Sequence, residues 1–135
     1  MNMYTNPKDI SATFWNMINR AQKDRSKLRA ILMELDREEL NRFRYQYKEA
    51  AYYLTDDRFV KYMLGRSEDD IEDLTEWVVG QGKEYFMDIW NHPEHIPPYI
   101  PGSRESHLGN VVFKVWREKF GYLPDDFGEI TDEEP

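Results

Sequence analysis

The stretch DREELNRFRYQYKEAAYYL, residues 36–54, decides the fold class of this chain. Asp36 and Glu39 have the spacing of a capping box, in which each side chain accepts a hydrogen bond from the other residue's backbone N–H. The apolar residues that follow recur every three or four positions, as one face of a helix requires: Leu40, Phe43, Tyr47, Ala50, Ala51 and Leu54. The stretch therefore predicts a long helix with one buried face.

Further segments with the same helical pattern lie on both sides of this stretch. They cover residues 14–21, 28–35, 59–64, 71–78, 85–90 and 108–120. Ser11 and Ser67 are suited to cap the starts of two helices, and Gly65 and Gly121 are suited to end two others. The valines in 111–115 also fit a strand, but a single strand would have no partner, and no Asn-Gly or Asp-Gly hairpin signal occurs.

These patterns predict an all-α fold, a compact single-domain bundle of six to seven short amphipathic helices over residues 11–123. Residues 1–10 show no periodicity and are expected to form a flexible N-terminal arm. Residues 124–135 are expected to form an acidic, mobile tail, and the proline-rich residues 92–103 are expected to form a loop.

The composition excludes several classes of protein. The chain has no Cys, which excludes disulfide scaffolds, thiolate zinc sites and cysteine nucleophiles. Lys and Arg total 18 against 26 for Asp and Glu, so the net charge of −8 argues against binding nucleic acid or an anionic membrane through a general basic field. We find no leader-like segment and no apolar run long enough to cross a membrane, so we expect a cytoplasmic protein.

The charge is divided along the chain. Residues 67–98 hold nine acids and one base, whereas residues 20–66 hold twelve bases and eight acids. Residues 124–135 supply six more acids, so the chain without this tail has a net charge of only −2. A protein that imitates DNA would spread its charge over the folded surface, so this division argues against phosphate mimicry.

Glu68, Asp69, Asp70 and Asp73 are the candidate functional residues of the acidic region. The last three form a D-D-x-x-D string, and Asp69 and Asp73 would lie on one helix face, where they could hold Mg²⁺. Acids are also favoured at any helix N-terminus by the helix dipole. That second interpretation requires no ligand.

Two other clusters admit both a functional and an ordinary interpretation. His92, His95 and His107 could bind zinc, but the first two flank Pro93 in a loop, where no regular spacing aims both rings at one point. The basic cluster in residues 20–29 could receive a phosphate or an acidic partner, or it could pair with acids of its own chain. Neither a G-x-S-x-G motif nor a glycine-rich phosphate loop occurs.

Four short motifs occur in order between residues 14 and 96. They are Phe14-Trp15 followed by Ile18, Ser67-Glu68-Asp69 after Gly65, Trp77-Val78-Val79-Gly80-Gln81-Gly82, and His92-Pro93-Glu94. This order resembles the domain of unknown function 4240 family, which is mostly bacterial. The resemblance implies a helical fold, but it implies no activity.

The residues that carry the resemblance have a structural interpretation. Phe14, Trp15 and Trp77 lie on apolar faces, and Gly82 suits a tight bend between two aromatic helices. We expect Gln81 to donate a hydrogen bond to the turn after Pro93. These signature residues, Phe14, Trp15, Trp77, Gln81, Gly82 and Pro93, are thus expected to hold the fold together rather than to bind a ligand.

The sequence favours a non-catalytic protein-interaction module, of the immunity or adaptor type, that presents Glu68, Asp69, Asp70 and Asp73 to a basic protein partner. We expect it to need no metal and no cofactor, and to bind neither nucleic acid nor membrane. The alternative is a small metal-dependent hydrolase or phosphate-handling enzyme that uses Asp69 and Asp73. The oligomeric state does not follow from the pattern.

Overall fold

Seven α-helices form where the apolar patterns predict them, in a computed structural model that describes residues 10–102 and 108–121. They are α1 (Ala12–Ala21), α2 (Arg25–Met33), α3 (Arg37–Tyr53), α4 (Asp57–Val60), α5 (Glu68–Gly80), α6 (Lys83–Asn91) and α7 (Gly109–Phe120), with a 3₁₀ turn at Pro93–His95. The described ranges contain no strand. The prediction of an all-α bundle is therefore confirmed, and residues 111–115 are helical.

The helix ends follow from local side-chain chemistry. Asp36 accepts a hydrogen bond from the Glu39 N–H at 2.8 Å, and Glu39 accepts one from the Asp36 N–H at 2.9 Å, which completes the capping box of α3. The Ser11 hydroxyl caps α1 in the same way. Gly121 ends α7 in the left-handed conformation, with φ 76°.

The fourth helix is shorter than the sequence indicated. The apolar pattern ran to Leu64 with Gly65 as its end, but α4 ends at Val60. A longer helix would need the Leu64 N–H to bond the Val60 carbonyl, and it donates instead to the Pro98 carbonyl at 2.9 Å. Leu64 is consequently 74% exposed, although the pattern placed it on a buried face.

The core lies around α3, which packs against α1, α5 and α7. Its contact with α1 is aromatic, because the Phe14 ring lies 5.0 Å from that of Phe43 and 6.0 Å from that of Tyr47 between ring centroids. Helix α2 packs against α1 and α7, and α6 packs against α1 and α5. The bundle therefore closes around the longest helix.

The bend between α5 and α6 depends on Gly82. This residue has φ 109° and ψ 169°, a conformation that is essentially restricted to glycine. It also offers no side chain to cap α6, and the cap comes from α1, where Asn19 Oδ1 accepts the Lys83 N–H at 3.3 Å. A Cβ atom at position 82 would lie 2.9 Å from that oxygen. The bend and the packing of α1 on α6 thus share one hydrogen bond.

Most of the predicted flexible ends lie outside the described residues. Of the arm 1–10 only Ile10 is described, and its side chain is buried in the core. The tail 124–135 is not described, so its mobility stays a prediction. Among the described residues, no helix has the length and apolar character needed to cross a membrane.

Candidate partner-binding cleft

A cleft of about 300 Å³ lies between the first turns of α5 and the proline-rich loop. We call it the α5 cleft. Its lining combines carboxylate, aromatic and aliphatic groups, from Gly65, Asp70, Asp73, Leu74, Pro98, Tyr99, Ile100 and Gly102. Asp70, Asp73 and Leu74 lie on one face of α5, because residues three and four apart are neighbours on a helix. The cleft therefore offers negative charge on its helix side and apolar surface on both sides.

Backbone and side-chain hydrogen bonds, together with one buried side chain, fix the two walls of the α5 cleft. The Leu64–Pro98 hydrogen bond joins the segment before α5 to the proline-rich loop. Arg66 braces that segment, because its guanidinium donates to the Met63 carbonyl at 3.1 Å and to the Lys61 carbonyl at 2.9 Å. Ile96 anchors the loop in the core.

Gly65 brings the Asp70 carboxylate close to the backbone. A Cβ atom at position 65 would lie 2.6 Å from Asp70 Oδ2, so no larger residue fits there unless Asp70 moves. Asp70 itself is held at the start of α5, where its N–H donates to the Ser67 hydroxyl at 3.1 Å. The absent side chain at position 65 thus leaves room for a carboxylate on the cleft wall.

The charges around the α5 cleft are concentrated on α5. Within residues 10–102 and 108–121, no side chain forms a hydrogen bond or ion pair with the carboxylates of Asp70 and Asp73. Partial burial raises the pKa of Glu72, and the negative charges of Glu76, Asp73 and Asp69 raise it further. The positive charge of Lys48 acts in the opposite direction and lowers this pKa. The acids of this surface therefore repel one another.

Two of the four predicted partner-binding acids line the cleft. Asp70 and Asp73 belong to its wall, whereas Glu68 and Asp69 are exposed in the first turn of α5 outside the lining. Asp69 and Asp73 have no third residue beside them that would complete a metal site. In the described part of the chain, no group of three or more His, Asp or Glu residues is suited to hold a metal ion.

The structure brings two histidines together. The His92 and His95 rings stack with centroids 4.9 Å apart at the 3₁₀ turn Pro93–His95. Stacking does not direct a nitrogen of each ring at one point, so the expectation that this loop aims no two rings at a zinc ion stays a prediction. His95 Nδ1 also lies 2.9 Å from the Asp88 carboxylate, and His107 lies outside the described residues.

The basic cluster in residues 20–29 is partly engaged within the chain. One guanidinium nitrogen of Arg29 donates to both carboxylate oxygens of Glu118 of α7, at 2.5 and 2.6 Å. Lys27 contacts the side-chain oxygen of Gln22, and the Asp24 side chain caps α2. Among these contacts, the pairing of Arg29 with Glu118 is the one in which a base of the cluster meets an acid of its own chain, and the role of the other bases stays a prediction.

The signature residues lie in the core or at its edge. Phe14, Trp15, Trp77 and Gly82 are buried, and Gln81 and Pro93 are half-buried. The hydrogen bond of the Gln81 amide goes to the Trp77 carbonyl at 3.2 Å, so the predicted bond to the turn after Pro93 is wrong. The helix geometry explains the difference, because a side chain at the end of α5 easily reaches the carbonyl four residues back. The structural role of the signature stays a prediction.

Sequence reasoning missed a buried ion pair between α3 and α5. The Lys48 ammonium contacts the Glu76 carboxylate, and only 20% and 8% of their side chains are exposed. Beside them the Tyr47 hydroxyl donates to the Glu76 backbone carbonyl at 2.7 Å. Burial, and then the negative charge of Glu76, raise the pKa of Tyr47 well above its usual value. The position of Lys48 in the sequence was the signal that could have indicated this pair, because Lys48 directly follows Tyr47, a residue of the buried face of α3.

Sequence reasoning also missed the exposed apolar residues of the α5 cleft. Tyr99 is 63% exposed on the cleft wall. Leu64 is also exposed, and its N–H donates a hydrogen bond to the carbonyl of Pro98, which lines the cleft. A tyrosine inside a proline-rich loop, with no helical pattern to bury it, was the signal that could have identified this position.

Fold and cleft together define an all-α protein with an acidic, partly apolar cleft at the start of one helix. The family model described as Protein of unknown function (DUF4240) matches residues 10–110, which contain α1 to α6 and the first residues of α7. The chain belongs to this family. No curated protein and no solved structure matches it.

Proposed function

We propose that this protein is a non-catalytic interaction module that binds a basic protein through its acidic face, the residues Glu68, Asp69, Asp70 and Asp73. We place it in the bacterial cytoplasm, as an immunity- or adaptor-type protein. The observation that carries the proposal is the α5 cleft, where two of these acids stand beside an exposed aromatic ring.

The position of Asp73 supports a role in binding. The helix dipole accounts for acids in the first turn of α5, which holds Glu68, Asp69 and Asp70. Asp73 lies beyond that turn, where the dipole contributes little, and its charge helps to raise the pKa of Glu72. An acid that repels its neighbours and lines a cleft is better explained by a cationic partner than by the stability of the helix.

The charge imbalance also supports a basic partner. Residues 67–98 hold nine acids against one base, Lys83, so an oppositely charged surface would be attracted before contact. Such attraction accelerates association. Salt weakens it, because charges more than about 10 Å apart are largely screened from one another at an ionic strength of 0.1 M. The proposal thus predicts a partner whose capture falls with ionic strength.

Affinity capture tests this proposal. The tagged protein and a variant with Glu68, Asp69, Asp70 and Asp73 changed to Ser or Asn are used on lysate of the source cells, and captured proteins are quantified by mass spectrometry. We expect a basic protein that is recovered by the unmodified chain and lost with the variant, because the variant lacks the attracting charges.

The matched control changes four exposed acids elsewhere on the described surface: Glu34, Glu38, Asp57 and Glu118. This control removes the same number of charges, and we expect it to retain the partner. Equal recovery with the acidic-face variant and the unmodified chain would refute the proposal, and so would equal loss with both variants. Circular dichroism shows that each variant is folded.

A metal-dependent hydrolase that uses Asp69 and Asp73 is the competing proposal from the sequence. It predicts heat of binding for Mg²⁺, Mn²⁺ or Zn²⁺ in a calorimetric titration at high micromolar concentration. The interaction-module proposal predicts none, because a pair of surface carboxylates with no third ligand holds such ions weakly.

A further inference from the structure

We infer that the α5 cleft receives a single arginine side chain that projects from the partner. This inference rests on the proposed function and specifies its recognition chemistry. The guanidinium group lies between the Asp70 and Asp73 carboxylates and the Tyr99 ring, and a neighbouring apolar residue of the partner packs on Leu64.

The size of the cleft favours a side chain as its occupant. A volume of about 300 Å³ lies at the lower end of the range for small-molecule sites. Its apolar lining, Leu74, Pro98 and Ile100, suits the methylene stem of a long side chain. The charged residues of the lining are both acids, Asp70 and Asp73, which favours a cationic group at the end of that side chain.

The two carboxylates are available to an external cation. No described side chain forms an ion pair or a hydrogen bond with the carboxylate of Asp70 or that of Asp73. This contrasts with Glu76 and Glu118, whose carboxylates contact Lys48 and Arg29. The bundle thus pairs other acids internally and leaves this pair on the wall of a cleft.

Tyr99 supplies a second reason for a cation. Its ring is largely in water beside two acids, although burial of an aromatic ring is normally favourable. A cation over the face of such a ring is attracted by its quadrupole. Acidic groups and an aromatic face in one cleft are therefore complementary to the same chemical group.

Arginine fits this combination better than lysine. Its planar guanidinium stacks on rings, is weakly hydrated, and can donate to two carboxylates at once. Leu64 lies next to Pro98 at the edge of the cleft and is mostly exposed, so an apolar residue beside the arginine would cover it. The recognised segment therefore combines arginine with an aliphatic neighbour.

NMR titration of the ¹⁵N-labelled full chain tests the inference. The probe is the capped peptide Ac-Gly-Leu-Arg-Gly-NH₂, with matched peptides in which Arg is replaced by Lys or by uncharged citrulline. We expect the Arg peptide to bind with a dissociation constant of roughly 1 mM, as suits one side chain. Shifts should centre on Leu64, Asp70, Asp73 and Tyr99, with weaker binding of the Lys peptide and none of the citrulline peptide.

Variants identify the contacts. Asp70→Asn with Asp73→Asn should weaken binding at least about tenfold, because charge-assisted hydrogen bonds are lost. Tyr99→Leu keeps an apolar residue but removes the ring, and should weaken binding roughly two- to fivefold. Glu34→Gln with Glu38→Gln is the charge-matched control and should leave the affinity unchanged.

Several outcomes would overturn the inference. They are equal binding of the citrulline peptide, shifts spread over all acidic residues, and binding that appears only after Arg104→Gln. Arg104 stands two positions after Gly102 in the sequence, and this last outcome would mean that the chain itself supplies the cation. A concentration-dependent dimer in light scattering that is lost with the two cleft Asn substitutions would assign the cleft to a second copy of the chain. If the peptide fails but the acidic-face variant still loses its partner in affinity capture, this inference fails and the proposed function stands.

Discussion

Replacing Gly82 with alanine tests whether the family signature is a structural bend. The backbone conformation at Gly82 is one that costs other residues about 1–3 kcal/mol. The new Cβ would also lie 2.9 Å from Asn19 Oδ1, so Asn19 has to move. That movement weakens its hydrogen bond to the Lys83 N–H, worth about 0.5–1.5 kcal/mol. Together these effects predict a loss of about 1.5–4.5 kcal/mol in the free energy of unfolding.

The assay is urea unfolding followed by tryptophan fluorescence, since Trp15, Trp77 and Trp116 are buried. Gly121→Ala is the matched control, because Gly121 has φ 76° with no atom within 4 Å of a Cβ there. It should lose only the conformational cost of about 1–2 kcal/mol. We expect the midpoint to fall further for Gly82→Ala, with little change in the urea slope.

The double variant Asn19→Ala with Gly82→Ala separates the two contributions. If the Cβ contact with Asn19 contributes, the double variant is less destabilised than the sum of the two single variants. A Gly82→Ala protein as stable as Gly121→Ala would refute the reasoning, and the signature would then need another explanation, such as a binding role.

Three further predictions concern buried charge and capping. Lys48→Met removes the ammonium group from the buried Glu76 carboxylate, and we expect a loss of about 3–5 kcal/mol in urea unfolding. Glu72→Gln should raise the melting temperature at pH 7. The folded-state pKa of Glu72 lies above its ordinary value of 4.5, so ionisation of Glu72 destabilises the fold at this pH. The gain in melting temperature should fade as the pH falls to 4.5 and below, because Glu72 is then protonated in both states. Asp36→Ala removes half of the capping box of α3 and should cost about 1 kcal/mol in thermal unfolding.

Two of these predictions have a control variant, and each has a result that would contradict it. Arg42→Met breaks an exposed pair with Glu38 and should change stability by less than about 1 kcal/mol, so an equal loss for Lys48→Met would contradict the buried-pair argument. Glu34→Gln is the exposed comparison for Glu72→Gln, and a gain at Glu72 that persists unchanged at pH 3 would contradict the sign of the pKa shift. An unchanged melting temperature for Asp36→Ala would show that the cap contributes nothing.

Local signals in the sequence were sufficient to locate the helices. The capping box at Asp36 and Glu39, the serine caps and Gly121 act within a few residues, so their effect does not depend on the rest of the fold. The apolar pattern added which face of each helix is buried. The all-α class and its helices followed from these two kinds of signal.

Contacts between distant segments were beyond local reasoning. The Leu64 N–H bonds the Pro98 carbonyl of the proline-rich loop, and the ion pair of Lys48 joins residues 28 apart. The α5 cleft has the same origin, because the path of the proline-rich loop brings Tyr99 to the cleft that Asp70 and Asp73 line. Sequence thus identified the acids as candidates, but not the ring opposite them.

Photo-crosslinking from the cleft wall tests the central claim most directly. Benzoylphenylalanine replaces Tyr99 in one protein and Tyr52, an exposed tyrosine of α3 outside the cleft lining, in another, and both are irradiated in the source cells. We predict a crosslink to a basic protein from position 99, absent from position 52 and lost when Asp70 and Asp73 are changed to Asn. Equal crosslinking from both positions, or none from position 99, would contradict the account.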